Sequence, residues 1–223
     1  AEGDKLVKVV YICSNIAIAD QNLNKLRISS EVRKENASYS RLSMQHLNIF
    51  NQENDTDLLN GFIQLIPLTP DTSFRMTQGA GTYSERALMF AILRRLPELQ
   101  DVLPQLEVLM INDAPSAWRW VKPYYEEEVV SCDIKSHKKY LNYMLKSTKT
   151  LLKKRQESKK TILKELLEHC EKIKANKNQR IPNNELIGKL RNVFAQISLD
   201  KLEPDLVIMD EFQRFKYLIN SEN

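Results

Sequence analysis

Two adjacent carboxylates, Asp210 and Glu211, follow the apolar run Leu206-Val207-Ile208-Met209. Four apolar residues after Pro204-Asp205 predict a short strand buried on both faces. In a parallel sheet the carboxyl end of such a strand is where ligands sit. An Asp at that point suits a magnesium ion held through water, and the Glu beside it suits polarising a water molecule for attack on a γ-phosphate. The dipeptide alone fits a solvated surface turn better than a catalytic site.

Other strand ends must lie beside this pair for it to work. Leu6 to Cys13 is β-branched and almost continuously apolar, which predicts a buried strand broken by Ser14 and Asn15, with a helix over Ile16 to Leu26. Phe62 to Leu68 predicts a second strand, followed by Thr69, Thr72 and Ser73. Small hydroxyl and amide residues at such ends either cap the next helix or offer themselves and nearby N–H groups to phosphate. Glu31 to Asn60 is polar and loop-rich, with one amphipathic patch at Leu42, Met44, Leu47 and Phe50. Gln78-Gly79-Ala80-Gly81-Thr82 has two glycines, but no GxxxxGK[ST] occurs in the sequence. The stretch therefore predicts a glycine turn into a helix over Tyr83 to Leu96, on which Leu88, Ala91, Ile92 and Leu96 share a face.

A turn over Pro97 to Pro104 and a helix over Gln105 to Ile111 come next. Trp118, Trp120, Tyr124 and Tyr125 then interleave with Arg119 and Lys122. Such a cluster suits base stacking but is expected here as the edge of a core. From Ile134 to Ala175 no Pro or Gly interrupts apolar spacings of three and four, except where Lys153, Lys154, Arg155, Lys159 and Lys160 break the stripe. One long helix or a two-helix hairpin fits, and either is too long for an ordinary crossover. Asn176 to Asn184 reads as a polar turn and Glu185 to Ile197 as a further helix. Between Ser131 and Arg180 stand fifteen Lys or Arg against five Asp or Glu, whereas the other residues hold 18 basic and 24 acidic. A run of this kind is a solvated helix face or a phosphate-binding one.

At 223 residues, 42% hydrophobic and 28% charged, the chain can bury a substantial core. Its apolar runs, such as Ile63 to Leu68, are strand-length, so neither a membrane span nor a signal peptide is expected. Three widely spaced cysteines, Cys13, Cys132 and Cys170, suit a reducing, cytoplasmic setting. A zinc site from Cys132, His137, His169 and Cys170 is disfavoured, because adjacent helical residues point about 100° apart.

Asp210-Glu211-Phe212-Gln213-Arg214-Phe215 resembles motif II of the superfamily-two DEAD/DEAH-type helicases in the spelling of the Swi/Snf-like relatives. Val9 to Asn15 with Gln21-Asn22 resembles motif Ia, and Thr69-Pro70-Asp71-Thr72-Ser73-Phe74 resembles motif Ib. The resemblance implies an α/β fold: part of a RecA-like parallel sheet with flanking helices and a long helical insertion. Residues 1–130 would be the first part of that core, 131–180 the basic insertion, and 181–223 the return with the Walker B strand.

It also implies an ATP-dependent nucleic-acid helicase or translocase. Asp210 and Glu211 would be catalytic, with Asp210 on the magnesium of ATP. Ser14, Asn15, Thr69, Thr72 and Ser73 would touch nucleic acid, with DNA preferred to RNA, together with Lys153, Lys154, Arg155, Lys159 and Lys160. The Walker A segment and second lobe would belong to the rest of a parent chain, so that this piece alone holds no ATP and is inactive. The alternative is a non-catalytic nucleic-acid or protein binding module built on the basic insertion.

Overall fold

The computed structural model describes residues 7–13, 21, 32–34, 41–53, 63–68, 79–155 and 160–210. Ser14, Asn15, Thr69, Thr72, Ser73, Lys159 and Glu211 lie outside them, as does nearly all of the helix expected over Ile16 to Leu26. The chain is α/β and forms two compact units. The division does not run at 130 and 180. One unit comprises residues 1–42, 55–75 and 199–223, and the other residues 43–54 and 76–198.

The first unit holds a four-stranded parallel sheet in the order β2-β3-β1-β4, with β1 Val7–Ile12, β2 Val32–Lys34, β3 Ile63–Leu68 and β4 Leu206–Met209. β1 lies between β3 and β4, and Val9, Val10 and Tyr11 are buried accordingly. Parallel neighbours require a crossover, and the crossover from β3 to β4 carries most of the second unit. β4 departs from expectation: Leu206, Val207 and Met209 are exposed, Leu206 by 51%. It is the end strand of the described sheet and pairs only with β1. A continuous apolar run does not by itself distinguish a central strand from an end one.

The second unit is helical. A 3-10 turn at Leu42–Met44 leads into α1 (Gln45–Glu53), followed by α2 (Tyr83–Leu93), α3 (Leu103–Ile111), α4 (Pro115–Lys135), α5 (Lys139–Lys153), α6 (Ile162–Ala175) and α7 (Asn184–Leu202). α2 is buried from Glu85 to Leu93 and packs against α3, α4 and α5, as a helix apolar on every side must. Thr82 caps it: the Thr82 hydroxyl accepts from Glu85 N, while a Glu85 carboxylate oxygen accepts from Thr82 N.

α4 crosses the boundary expected at residue 130 without a break and contains Pro123. It ends where His137 and Lys138 enter the left-handed region, at φ 50 and 65. Asp133 Oδ1 and Ser136 Oγ then accept from Leu141 N and Tyr140 N, which starts α5. The basic segment is therefore two helices joined through a bridge between Arg155 and Thr161. It is no solvated arm. Tyr140, Met144 and Leu152 of α5, and Leu166, Cys170 and Ile173 of α6, are buried in the same core as α2.

Candidate functional site

β1, β3 and β4 end together. Ile12 is the register partner of Leu68 on one side and of Met209 on the other. Cys13 N donates to Leu68 O at 3.2 Å, and Asp210 N donates to Ile12 O at 2.8 Å, carrying the ladder one residue past the strands. At its start β4 is tied by Asp205, whose N donates to Lys8 O and whose Oδ2 accepts from Lys8 N, both at 2.9 Å. Register and ties fix Asp210 at the carboxyl edge of a parallel sheet, half-buried, beside the ends of two other strands.

A second side chain at this edge escaped the sequence reading. The buried Tyr11 donates its hydroxyl to Asp210 Oδ2 in a short hydrogen bond. Tyr11 faces Ile208 in the ladder, two residues before Asp210. Its only sequence signal was an aromatic in the central strand. The bond orients the carboxylate, while the half-buried setting keeps it within reach of solvent.

Magnesium in phosphoryl-transfer sites takes one or two carboxylates and completes its octahedron with water and substrate phosphate. Asp210 on its ordered strand end is of the type and number required. Among the described residues no group of three or more His, Cys, Asp or Glu gathers to hold a metal by itself. Cys132 and Cys170 are buried, and their thiols are pushed up to about 12 by desolvation, the opposite of what a thiolate ligand needs. His169 has its Nε2 against Ile181 O at 3.0 Å and its Nδ1 against Asn183 Nδ2 at 3.3 Å.

The glycine turn before α2 faces away from phosphate chemistry. Arg86, buried in α2, donates through Nη1 to Ala80 O and Gly81 O and through Nε to Met110 O. Its Nη2 reaches Asp113 Oδ1 at 2.8 Å. Next to it Glu85 accepts from Ser43 Oγ at 2.7 Å, Thr82 N at 2.8 Å and Arg191 Nε at 3.1 Å. The turn therefore wraps a structural guanidinium, and its Thr82 N–H is committed to a carboxylate. The Thr82-x-x-Glu85 spacing is a helix-start signal that the sequence reading did not use. Nothing in it pointed to Arg191, 106 residues away.

The basic run is not one surface. Lys153 and Lys149 both reach Glu98 Oε1 at 2.8 Å and hold its carboxyl down at about 2. Lys160 pairs with Glu168 at 3.1 Å. Lys154 and Arg155 are exposed, and neither side chain has a partner among the described residues. The aromatic cluster also divides. Trp118 is buried edge-on to Phe90 with its Nε1 donating to Glu107, as a packing role requires, while Trp120 is 81% exposed. Two helical residues point about 200° apart, so one faces in and the other out.

No helix among the described residues is long and apolar enough to cross a membrane. Comparison with protein-family models, with curated proteins and with solved structures finds no significant match.

Proposed function

We propose that this chain is part of the first RecA-like lobe of an ATP-driven nucleic-acid translocase of the superfamily-two helicase type. Asp210 would carry the magnesium of ATP, and Glu211 would polarise the attacking water. The observation that carries the reading is the common register of Ile12, Leu68 and Met209. It ends at one sheet edge the three strands that lead into the segments resembling motifs Ia, Ib and II, and ligands of open parallel sheets bind at such an edge. Ser14, Asn15, Thr69, Thr72 and Ser73 follow those strands in the sequence and are the proposed contacts to the nucleic-acid backbone. The chain has no GxxxxGK[ST], so the phosphates must be seated by a segment supplied from elsewhere.

ATP turnover by the full-length natural protein tests this reading. Asp210→Asn and Glu211→Gln should each lower nucleic-acid-stimulated kcat by about 100-fold or more, and this chain alone should turn over no ATP. Unchanged turnover in Glu211→Gln, or Glu211-dependent hydrolysis by this chain alone, would overturn it. A second reading, a binding module without catalysis, draws on the exposed Lys154 and Arg155, whose side chains have no partner among the described residues. Tight, salt-sensitive binding of nucleic acid with no ATPase in the full-length protein would favour it.

A further inference from the structure

A cleft of about 300 Å³ opens where the end of α5, the start of α6 and one face of α7 meet. Its floor is apolar, with Ile162 and Val193 buried and Leu151 half-buried. Lys154 and Arg155 line it, and both owe their position to the end of α5. Lys154 is extended, with φ −66 and ψ 131, so the chain leaves the helix axis there and Arg155 bridges to Thr161. Lys153, one residue earlier, stays on the helix and reaches Glu98 instead. Asn192 and Gln196, one turn apart on α7, add exposed amides to the wall. The third cation, Lys189, is engaged by Glu165 at 2.7 Å and Glu185 at 3.0 Å.

We propose that this cleft seats one nucleotide of a single-stranded nucleic acid, its phosphate on Lys154 and Arg155 and its base against Leu151, Ile162 and Val193. The choice of partner rests on the nucleic-acid reading above. A lysine face that binds phosphates by charge alone needs no apolar recess, whereas an unstacked base gains by covering one. The volume lies at the small end of ligand-sized sites, the scale of one residue of a strand. Bases in a duplex are stacked, and entry would cost a few kcal/mol of unstacking. The amides of Asn192 and Gln196 suit a base edge, which presents both donors and acceptors.

Fluorescence anisotropy of a labelled 12-nucleotide oligothymidylate and of a 12-base-pair duplex, each titrated with this chain in the absence of ATP, tests the site. Lys154→Ala/Arg155→Ala should lower single-strand affinity about tenfold and flatten the log–log salt dependence by about 0.7 per lost phosphate contact. Lys139→Ala/Lys174→Ala removes the same charge from exposed positions outside the cleft and should cost less than about twofold. Asn192→Ala/Gln196→Ala should weaken binding with the salt slope unchanged. All six side chains are exposed, and unchanged far-UV circular dichroism melts verify the fold. Equal losses in the two charge-matched variants, tighter binding of the duplex, or no binding of the oligonucleotide would each overturn the proposal. The motor reading is judged separately, on Asp210 and Glu211 in ATP turnover.

Discussion

Asp210 and Glu85 are both carboxylates fixed at the end of a regular element, and they serve opposite ends. Asp210 follows a strand with three of its four apolar residues exposed, is itself half-buried, and is oriented by the Tyr11 hydroxyl. Glu85 lies in the first turn of α2 with its side chain wholly buried, and it accepts from a serine, a threonine and an arginine drawn from three separate parts of the chain. A carboxylate left within reach of solvent can exchange partners, as metal or substrate binding requires. A carboxylate with its lone pairs committed in the core holds elements together and can do nothing else. Under the proposed function, chemistry and cohesion would be carried by different carboxylates, in different compact units.

The largest difference should appear on truncation. Glu85→Ala removes the carboxylate paired with Arg191, whose side chain is only 2% exposed, and should cost about 3–5 kcal/mol. Asp210→Ala should cost about 1–2 kcal/mol, since it takes the acceptor from the buried Tyr11 hydroxyl at an edge that water can reach. Urea denaturation followed by far-UV circular dichroism measures both, and equal midpoints would erase the contrast. In Glu85→Ala/Arg191→Met much of the loss should return, because neither charge is then buried alone.

The glycine turn gives the next largest effect. Gly79 and Gly81 both have positive φ, at 77 and 65, where a side chain costs about 1–2 kcal/mol. A Cβ on Gly79 meets open space, whereas one on Gly81 would lie 2.5 Å from Arg191 Nε and 2.6 Å from Glu85 Oε2. Gly81→Ala should therefore be the more destabilising by about a further 1–3 kcal/mol. Matching denaturation midpoints for the two alanine variants would mean that the Glu85–Arg191 pair yields without loss.

These differences mark what the sequence could disclose. β1 and β3 were legible within a residue or two because short, nearly continuous β-branched and apolar runs bounded by polar residues favour strands. The common edge followed from reading those strands as parallel. The exposure of β4 was not legible, since its four apolar residues look the same at the centre or the end of a sheet. α4 was hidden by Pro123 and by an aromatic cluster without a clear helical period. Glu85 had no role in the sequence reading: its capping partner Thr82 is three residues away and could have been found, but its ion-pair partner is on another helix. Lys153 and Lys154 are adjacent in sequence and are separated in fate by the last residue of a helix.

Acid should destabilise the helical unit through His46. Burial lowers its pKa from 6.5 to about 3, and its Nδ1 lies 3.1 Å from Tyr140 Oη. The unfolded chain takes up a proton below 6.5 that the folded helical unit refuses until about 3, so stability falls as pH drops through that window. The slope approaches about 1.4 kcal/mol per pH unit. Glu98 adds to the loss lower down, because Lys149 and Lys153 depress its pKa and their support disappears from about 4.5 towards 2. Denaturation midpoints from pH 7 to 4 should fall in the native chain and fall less in His46→Phe. An unchanged slope in that variant would assign the acid loss elsewhere.

The smallest effect should come from Tyr11→Phe. The substitution keeps the buried ring and removes one hydroxyl, and Asp210 at the sheet edge can turn to water. A stability loss of about 1 kcal/mol is expected, the ordinary net contribution of a hydrogen bond whose acceptor can rehydrate. Function should respond more strongly than stability if the bond holds Asp210 in position for magnesium. In the full-length protein, Tyr11→Phe should raise the magnesium concentration needed for half-maximal ATP turnover, and saturating magnesium should restore most of kcat. A variant that loses kcat with no change in magnesium dependence would make Tyr11 a packing residue. A loss of 3 kcal/mol or more would place Asp210 with Glu85 among the groups that hold the fold together, and the contrast between the two carboxylates would fail.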